Sequence, residues 1–230
     1  MAAAGAPHGT VLIADQQTGG RGRMGRSFSS PMGKGLYLSV ILRPDCPASQ
    51  LMHLTCAAGV AACDAVEKVS GIRPGIKWIN DLIWENKKLG GILTELSVEP
   101  ATGIAEYAVI GIGINCLQIE EDFAAELQDI ATSLAIAGKS VDRSELAAGL
   151  IRTLKKMSDH LQDRNSFIDT YREDCLTVGK EVQVISSSGI QNGIALDVDT
   201  DGGLVVQYAD GSIHTVSSGE VSVRGMYGYI

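Results

Sequence analysis

The chain has 230 residues, a net charge of −8 at pH 7 and 45% apolar residues, which fits one sizeable domain or a core domain with a small appendage. The acidic balance argues against a general nucleic-acid binder, no apolar run reaches membrane-spanning length, and the N-terminus lacks a signal-peptide pattern. Five cysteines, without a C-x-x-C pair, and four scattered histidines argue against a disulfide framework and a structural metal. We therefore expect free thiols in a reducing cytoplasm, with no membrane or nucleic-acid partner.

The first part of the sequence alternates strands with one long helix. Residues 1–7 read like the last turn of a helix that Gly5 ends, so the chain is expected to begin inside an element. Apolar residues at three- and four-residue spacing predict a helix over residues 49–69, which Gly71 ends. Apolar runs predict four longer strands, over residues 10–14, 36–42, 88–98 and 105–115. A pair of short strands around an Asn-Asp turn is expected within residues 76–84.

The last part of the sequence changes from helices to short strands. Residues 123–137 are expected to be partly helical, and Asp142 or Ser144 caps a helix that runs to about Leu161. A further short helix is expected over residues 166–175. Beyond Gly179, hairpin turns such as Asp201-Gly202-Gly203 and Asp210-Gly211 recur between apolar runs, a spacing that predicts a small barrel of about fifty residues.

A basic, glycine-rich segment at residues 19–42 reverses the acidic character of the chain. Five cations lie in a stretch without any carboxylate from residue 16 to 44, namely Arg21, Arg23, Arg26, Lys34 and Arg43. Crowded guanidinium groups repel one another, but they donate charge-assisted hydrogen bonds when phosphate or carboxylate is present. A solvated basic loop is the alternative. We favour an anion-binding loop, because the segment continues directly into an apolar strand that fixes it to a core.

Glycines in two of the predicted strands point to close approaches. Gly111 and Gly113 leave one face of a strand bare, which either packs against another backbone or makes room for a flat ligand. Gly90-Gly91 indicates a bulge or a close backbone contact in the preceding strand. Cys56 and Cys63, seven residues apart on the predicted helix, are interpreted as small core residues.

Five ordered motifs resemble the biotin protein ligases, or biotin–[acetyl-CoA-carboxylase] ligases. They are GGRGRMGRSFSSPMGKGLY at 19–37, KWINDL at 77–82, KKLGGIL at 87–93, GIGIN at 111–115 and GEVSVR at 219–224. The resemblance implies an α+β fold, in which a mixed sheet flanked by helices, related to the class II aminoacyl-tRNA synthetase core, precedes an SH3-like barrel. The expected domains are a catalytic biotin- and ATP-binding domain over residues 1–176 and the barrel over residues 177–230.

The resemblance also implies a reaction in two steps. The carboxylate of biotin attacks the α-phosphate of Mg-ATP to form biotinyl-5′-AMP, and a lysine of a biotin carboxyl carrier protein then accepts the biotinyl group. ATP, biotin, Mg²⁺ with the ATP, the carrier protein and a second copy of the chain are thus the expected cofactors and partners. The alternatives are an N-terminally truncated, poorly active adenylate-binding domain and a lipoate ligase-like enzyme of the same fold.

Residue roles follow from the resemblance position by position. Lys77 and Arg23 are the expected catalytic residues, with Lys77 bridging the biotin carboxylate and the α-phosphate. The expected biotin-binding residues are Gln17, Gly20, Arg21, Arg23, Lys77, Gly111 and Gly113. The expected nucleotide-binding residues are Arg23, Arg26, Lys77, Lys88, Asn115 and Arg224. Three of these have a simpler alternative: Lys77 as a snorkelling strand lysine, Lys88 as a solvated hairpin residue, and Arg224 as a partner of Glu220.

The sequence departs from the family pattern in several places. Phe28 stands where the family usually has Trp, Ile79 where it has Pro, and Cys116-Leu117 replaces a pair that commonly ends in Asn. The Ser/Asp-Thr-Asn segment that binds biotin in the family is expected upstream of Met1. Some family members also carry an N-terminal DNA-binding domain, and because these residues do not include one we do not expect a repressor role for them.

Overall fold

Two sheets organise the chain in the computed structural model, which describes residues 1–186, 189–217, 220–223 and 226. The first sheet has six strands: β1 (Thr10–Ala14), β2 (Gly35–Leu42), β3 (Gly75–Lys77), β4 (Asp81–Trp84), β5 (Lys87–Val98) and β6 (Ala105–Asn115). Their spatial order is β1-β2-β6-β5-β4-β3, and the described ladders are antiparallel. Isolated parallel bridges join Ile76 to Cys175 and Lys88 to Ala131. The predicted α+β class with a mixed sheet is thus confirmed, and among the described residues its parallel component consists of these two isolated bridges.

Three helices cover one face of this sheet: α1 (Leu54–Ser70), α2 (Arg143–Asp159) and α3 (Asn165–Asp174). Helix α1 is buried along most of its length, since Ala, Gly and Cys let it approach its neighbours closely. Gly71 ends it in the left-handed conformation, and Asp142 caps α2 by accepting the N–H groups of Ser144 and Glu145, both as predicted.

Two helix predictions need correction. The helix expected over residues 49–69 is divided into a 3₁₀ turn, Ala48–Leu51, and α1. The turn is tightened because the Gln50 N–H bonds to the Pro47 carbonyl, three residues back. Residues 123–137, expected to be helical in part and then loop, contain a short 3₁₀ turn, Ala125–Leu127, in place of an α-helix.

Side chains alternate between the two faces of the first sheet. On the helix-covered face, β2, β5 and β6 bury branched residues such as Leu38, Ile92 and Ile112. On the opposite face, the register places Ser39, Gly111 and Leu93 side by side across the three strands, and Tyr37, Gly113 and Gly91 in the next row. Small residues in both rows leave space above the middle of the sheet.

The second sheet lies C-terminal to the helices. It contains β7 (Glu181–Ser186), β8 (Gly189–Val198), β9 (Leu204–Tyr208), β10 (Ile213–Val216) and β11 (Glu220–Val223), in the order β10-β9-β8-β7-β11. The predicted hairpin turns at residues 201–203 and 210–211 connect β8 to β9 and β9 to β10. All five cysteines are free and buried. None of the described helices is long and apolar enough to cross a membrane.

The two sheets meet at the turn between β8 and β9. The Trp78 indole Nε1 donates a hydrogen bond to the Gly202 carbonyl at 2.8 Å, and the Trp78 backbone N–H bonds to Thr177 Oγ1 at 2.9 Å. Gly202 has a positive φ, and a Cβ at this position would lie 2.7 Å from Cys56 Sγ on α1. Only glycine therefore suits this turn, which is fixed against the segment that carries Lys77.

Candidate active site

A cavity of about 470 Å³ lies over the side-chain-poor face of the first sheet. Its floor is the middle of β2, β5 and β6, one wall is the Arg/Gly loop, here residues 17–28, and another is the turn 77–81 between β3 and β4. Ile185, Val221 and Ser222 of the second sheet complete the lining. The cavity collects eight of the residues predicted for the site: Gln17, Arg21, Arg23, Arg26, Lys77, Lys88, Gly111 and Gly113.

The Arg/Gly loop has a hairpin-like backbone. The Phe28 N–H bonds to the Gly20 carbonyl at 2.9 Å, and the Gly22 N–H bonds to the Arg26 carbonyl at 2.7 Å. Met24 and Gly25 at its tip have positive φ, which makes the tight reversal. The three arginines of this loop are therefore held on two paired limbs above the sheet.

The first limb of the loop, which carries Arg21 and Arg23, also contacts the rest of the protein. Arg21 Nη2 lies 3.2 Å from Glu95 Oε1 on β5. Arg23 Nη1 donates to Asn80 Oδ1 at 3.3 Å, and the Asn80 side chain donates to the Ile92 carbonyl at 2.9 Å. The arginines thus reach from the loop to two different elements of the first sheet.

Lys77 and Lys88 bring two further cations to the cavity from the sheet itself. Lys77 is the last residue of β3, and only 7% of its surface is exposed, although it lines the cavity. A snorkelling lysine would place its ammonium group in water. The burial of Lys77 therefore argues against that alternative, because burying a lysine has a cost in free energy. Lys88 Nζ forms a 2.6 Å ion pair with Asp81 Oδ1, so it belongs to the cavity wall rather than to a freely solvated hairpin.

The two bare positions of β6 differ. A Cβ at Gly113 would lie 2.5 Å from Phe28 Cε1, so the aromatic ring occupies the space that this glycine leaves. A Cβ at Gly111 would meet nothing closer than 3.7 Å. The predicted close backbone contact at Gly90 is present, because a Cβ there would lie 2.5 Å from the Gly113 carbonyl oxygen.

Several predicted residues are not part of the cavity lining. Gly20 belongs to the loop but packs against its other limb, where a Cβ would come within 2.3 Å of the Phe28 carbonyl oxygen. Asn115 is buried, donates to the Thr132 carbonyl at 2.9 Å and accepts from Gln118 Nε2 at 3.1 Å. Arg224, and with it the proposed pair with Glu220, lies outside the described side chains.

Two cations of the basic segment are directed elsewhere. Lys34 forms a 2.7 Å ion pair with Asp122, and Arg43 donates to the carbonyl oxygens of Ala2 and Ala6 at the N-terminus. The interpretation of all five cations as one anion-binding group is therefore wrong for these two. Strand β2 separates them, with Lys34 before it and Arg43 after it.

Other lining residues were not predicted. Asn80, Asp81 and Glu95 contact the predicted cations, and the C-terminal sheet contributes Ser222. The sequence predicts a turn at Asn80-Asp81, and the place of this pair in the KWINDL motif, three residues after Lys77, is a usable signal for the site. Glu95 follows Gly91 and Leu93 at alternate positions of β5, which predicts the same face. The GEVSVR motif at 219–224 predicts a contribution of the C-terminal part through Arg224, and the lining residues Val221 and Ser222 lie within this motif.

Tyr37 lines the cavity as a neutral phenol. Burial, the main cause, raises the pKa of Tyr37 to about 12, and its hydroxyl donates to the Pro31 carbonyl at 3.1 Å. It therefore has no role as a base near neutral pH. Among the described residues, no group of three or more His, Cys, Asp or Glu side chains is arranged to hold a metal ion.

A second hollow of about 780 Å³ adjoins the first. It lies over β1, β2, β5 and β6, next to the N-terminal residues 1–3. Five residues line both spaces, namely Gln17, Tyr37, Ser39, Glu95 and Val109. The two hollows therefore meet at Glu95, on the face of the first sheet that the helices do not cover.

Sequence comparisons match both parts of the chain to known families. Residues 2–115 match the biotin/lipoate A/B protein ligase family, and residues 177–224 match the biotin protein ligase C-terminal domain. A biotin–[acetyl-CoA-carboxylase] ligase of Mycobacterium tuberculosis is 36% identical over 93% of this chain and 78% of its own length. The bifunctional ligase/repressor BirA of Bacillus subtilis is 38% identical over 90% of this chain, which spans 64% of the length of that relative.

The fold agrees with these matches. The biotin protein ligase of Aquifex aeolicus, solved in complex with biotin and ATP, superposes with a TM-score of 0.79 at 32% identity, over 95% of this chain and 90% of that chain. A Leishmania major biotin protein ligase in complex with biotin superposes with a TM-score of 0.58 at 25% identity, over 90% of this chain and 88% of that one.

Proposed function

The chain belongs to the biotin protein ligase family, and from this premise we propose that it is an ATP-dependent, AMP-forming biotin–[acetyl-CoA-carboxylase] ligase. It forms biotinyl-5′-AMP from biotin and ATP and then transfers biotin to a specific lysine of a biotin carboxyl carrier protein. One observation carries the proposal: the buried Lys77 opens on the same cavity as Arg23 and Arg26, over the bare strand surface at Gly111.

The first step brings anions together, which explains the cations. The biotin carboxylate oxygen attacks the α-phosphorus, and pyrophosphate leaves with the electron pair of the broken bond. Fixed positive groups lower the energy of this crowded, charged transition state, because they are oriented before the reaction. We assign Lys77 to the carboxylate and α-phosphate, Arg23 to the phosphate and Arg26 to the pyrophosphate side. Mg²⁺ enters as the counter-ion of the substrate ATP.

In the second step the carrier lysine attacks the acyl carbon of the mixed anhydride. AMP leaves, and the new amide nitrogen loses its proton. The anhydride has to be protected from water until then, and a closed Arg/Gly loop provides this protection. The loop therefore serves both steps in the proposal, first as a source of cations and then as a cover.

Biotin contacts are assigned to the loop limb and to the bare strand. Gln17 and Arg21 line the cavity and are positioned to bind biotin, while Gly20 acts indirectly by letting the loop backbone pack closely. Gly111 leaves space for the ligand. Gly113 supports the site through Phe28, whose ring covers it.

The nucleotide assignments are Lys88, Asn115 and Arg224. Lys88 is supported by its place in the cavity wall. Asn115 contributes through the buried polar cluster that it forms with Gln118 and Thr132, since its side chain is outside the lining. Arg224 rests on the motif match alone.

Finer architectural and cellular features belong to the same proposal. We propose that residues 1–176 form the catalytic domain, related to the class II aminoacyl-tRNA synthetase core, and that residues 177–230 form an SH3-like barrel built on the second sheet. A homodimer is proposed as the assembly, to be tested by sedimentation. A cytoplasmic location is supported by five buried, unpaired thiols, which suit a reducing compartment.

The test is direct detection of the adenylate. The chain is incubated with biotin and Mg-ATP, and biotinyl-AMP and pyrophosphate are measured by mass spectrometry and a coupled assay. We expect stoichiometric adenylate, and about 10²–10³-fold slower formation for Lys77→Ala, comparable to the loss of an oxyanion donor. Lys156→Ala, an exposed lysine of α2, is the matched control and should react normally.

Each alternative has its own outcome. Adenylate formation with lipoate but not with biotin would favour the lipoate ligase-like enzyme. Nucleotide binding without pyrophosphate release would favour the poorly active adenylate-binding domain. Normal adenylate formation by Lys77→Ala would contradict the catalytic assignment.

A further inference from the structure

Glu95 is a carboxylate on the floor of a cavity that collects Arg and Lys side chains, and the other lining carboxylate, Asp81, pairs with Lys88. It lies on β5, on the same face as Gly91 and Leu93, and its neighbour across the ladder is Val109. The proposed reaction brings a carboxylate and a triphosphate to this cavity, and both are repelled by a negative floor residue. The anionic groups of the two substrates therefore give no reason for a glutamate at this position.

The contact that Glu95 does make is with the Arg/Gly loop. Arg21 Nη2 lies 3.2 Å from Oε1 and 3.3 Å from Oε2 of Glu95. The two side chains are 71% and 49% exposed, so water competes with the pair and it opens easily. An isolated β-bridge between Arg21 and Ser27 ties the backbone of one limb of the loop to the other. Holding the Arg21 side chain therefore holds both limbs over the sheet.

We propose that Glu95 is a positioning residue, which draws Arg21, and through it the whole Arg/Gly loop, down over the cavity. The expected consequence of this positioning, retention of the adenylate, rests on the proposed function. The positioning role also explains where the pair lies. Glu95 lines both hollows, and Arg21 extends to it from the loop. When the pair forms, the loop covers the first cavity at its boundary with the second.

The first measurement needs no substrate and reports only on the loop. Ligand-free protein is digested with limiting trypsin, and cleavage after Arg23 and Arg26 is followed by mass spectrometry. Glu95→Gln keeps the size of the side chain but removes its charge, and we expect about 2- to 5-fold faster cleavage, the range of an exposed ion pair. Arg21→Gln should have the same effect, and the double variant should show no further increase.

The second measurement follows the consequence for the ligand. Dissociation of preformed biotinyl-AMP is timed by chase with unlabelled biotin and ATP, and Glu95→Gln should release it about 2- to 5-fold faster. The thermal unfolding midpoint should stay unchanged, which separates positioning from a general structural role. Glu121→Gln, which removes the same charge from an exposed position outside the cavity lining, should match the parent chain in both assays.

Exchanging the two charges in a double variant gives the most stringent test of the contact. Arg21→Glu combined with Glu95→Arg should restore slow cleavage if the contact itself holds the loop. Faster cleavage without any adenylate from the parent chain would support the contact and reject the proposed function. Normal adenylate formation with unchanged cleavage and release in Glu95→Gln would overturn the positioning role, as would a defect confined to transfer onto the carrier lysine.

Discussion

Gly111 and Gly113 occupy alternate positions of one strand, but a methyl group would meet different surroundings at each. At Gly113 the added Cβ would lie 2.5 Å from Phe28 Cε1, a contact that forces the ring or the strand to move. We predict that Gly113→Ala lowers the free energy of unfolding by about 1–3 kcal/mol, the usual cost of overpacking. Scanning calorimetry should show a drop of several degrees in the unfolding midpoint.

Gly111→Ala is the matched control for this change. Its Cβ would meet Leu93 O and Ser39 Oγ at 3.7 Å, an ordinary van der Waals distance, so the unfolding midpoint should hardly change. The extra methyl group projects into the cavity instead, and biotin affinity should fall. Equal unfolding midpoints for the two alanine variants would show that Phe28 does not pack on Gly113 in solution.

The Arg/Gly loop is shaped as an element by close packing between its own limbs. A Cβ at Gly20 would lie 2.3 Å from the Phe28 carbonyl oxygen and 3.0 Å from Gln17 Oε1. A backbone oxygen does not move aside as a flexible side chain does, so Gly20→Ala has to separate the limbs. We predict a loss of biotin affinity of at least about tenfold, equivalent to about 1.4 kcal/mol, measured by titration calorimetry.

The neighbouring glycine provides the control for the loop. Gly19 has no atom within 4 Å of an added Cβ, so Gly19→Ala should bind biotin with nearly the affinity of the parent chain. Both variants remove one glycine from the same element, and they differ in the contacts that a Cβ at Gly20 makes with Phe28, Ser30 and Gln17. A similar loss in both variants would mean that flexibility, rather than close packing, determines how the loop binds.

Local patterns in the sequence predicted most elements, because the signals for them are local. The strands at residues 10–14 and 105–115, the left-handed stop at Gly71 and the Asp142 cap agree with the structure. The site was predicted from motifs that lie at the ends and turns of these elements. These signals are carried by a few neighbouring residues, so they need no knowledge of how the elements pack.

Long-range packing accounts for what the sequence did not predict. Arg43 is close to the arginines in sequence, but β2 carries it about 30 Å along the sheet from Lys34. Lys34 precedes β2 and pairs instead with Asp122, 88 residues further along the chain. The ring of Phe28 on Gly113 and the pair of Arg21 with Glu95 join residues 85 and 74 positions apart in sequence. No spacing rule anticipates such contacts, since they depend on the register and order of the strands.

At the scale of the whole molecule, the two sheets are joined around helix α1. The turn at Gly202 packs on Cys56, the Arg172 Nε donates to the Val198 carbonyl at 2.8 Å, and Arg164 pairs with Asp201. His53, directly before α1, is fully buried next to this junction. Its Nε2 donates to the Leu161 carbonyl at 3.0 Å, and its ring stacks on Phe167 with centroids 5.1 Å apart.

The environment of His53 favours the neutral imidazole. Burial, the largest cause, lowers the pKa of His53, and the charge of Arg164 lowers it further, while the Leu161 carbonyl and Asp201 partly oppose the shift. Its Nδ1 has no hydrogen-bond partner among the described residues, so a proton added there would be buried without compensation. Protonation of His53 therefore favours the unfolded chain over the folded one.

The coupling predicts a pH dependence of stability with a defined sign. The unfolded chain binds a proton at His53 below about pH 6.5, whereas the folded chain resists it until a lower pH. The free energy of unfolding contributed by neutral His53 is thus fully present above about pH 6.5 and is lost as the pH falls toward the folded-state pKa, with a slope of up to about 1.4 kcal/mol per pH unit. Urea denaturation between pH 7.5 and 5 measures this slope.

His53→Gln should flatten the slope, whatever the stability of the variant at pH 7.5. His214→Gln, at an exposed histidine of β10, should keep the slope of the parent chain. A His53→Gln slope as steep as that of the parent chain would assign the acid sensitivity to other groups.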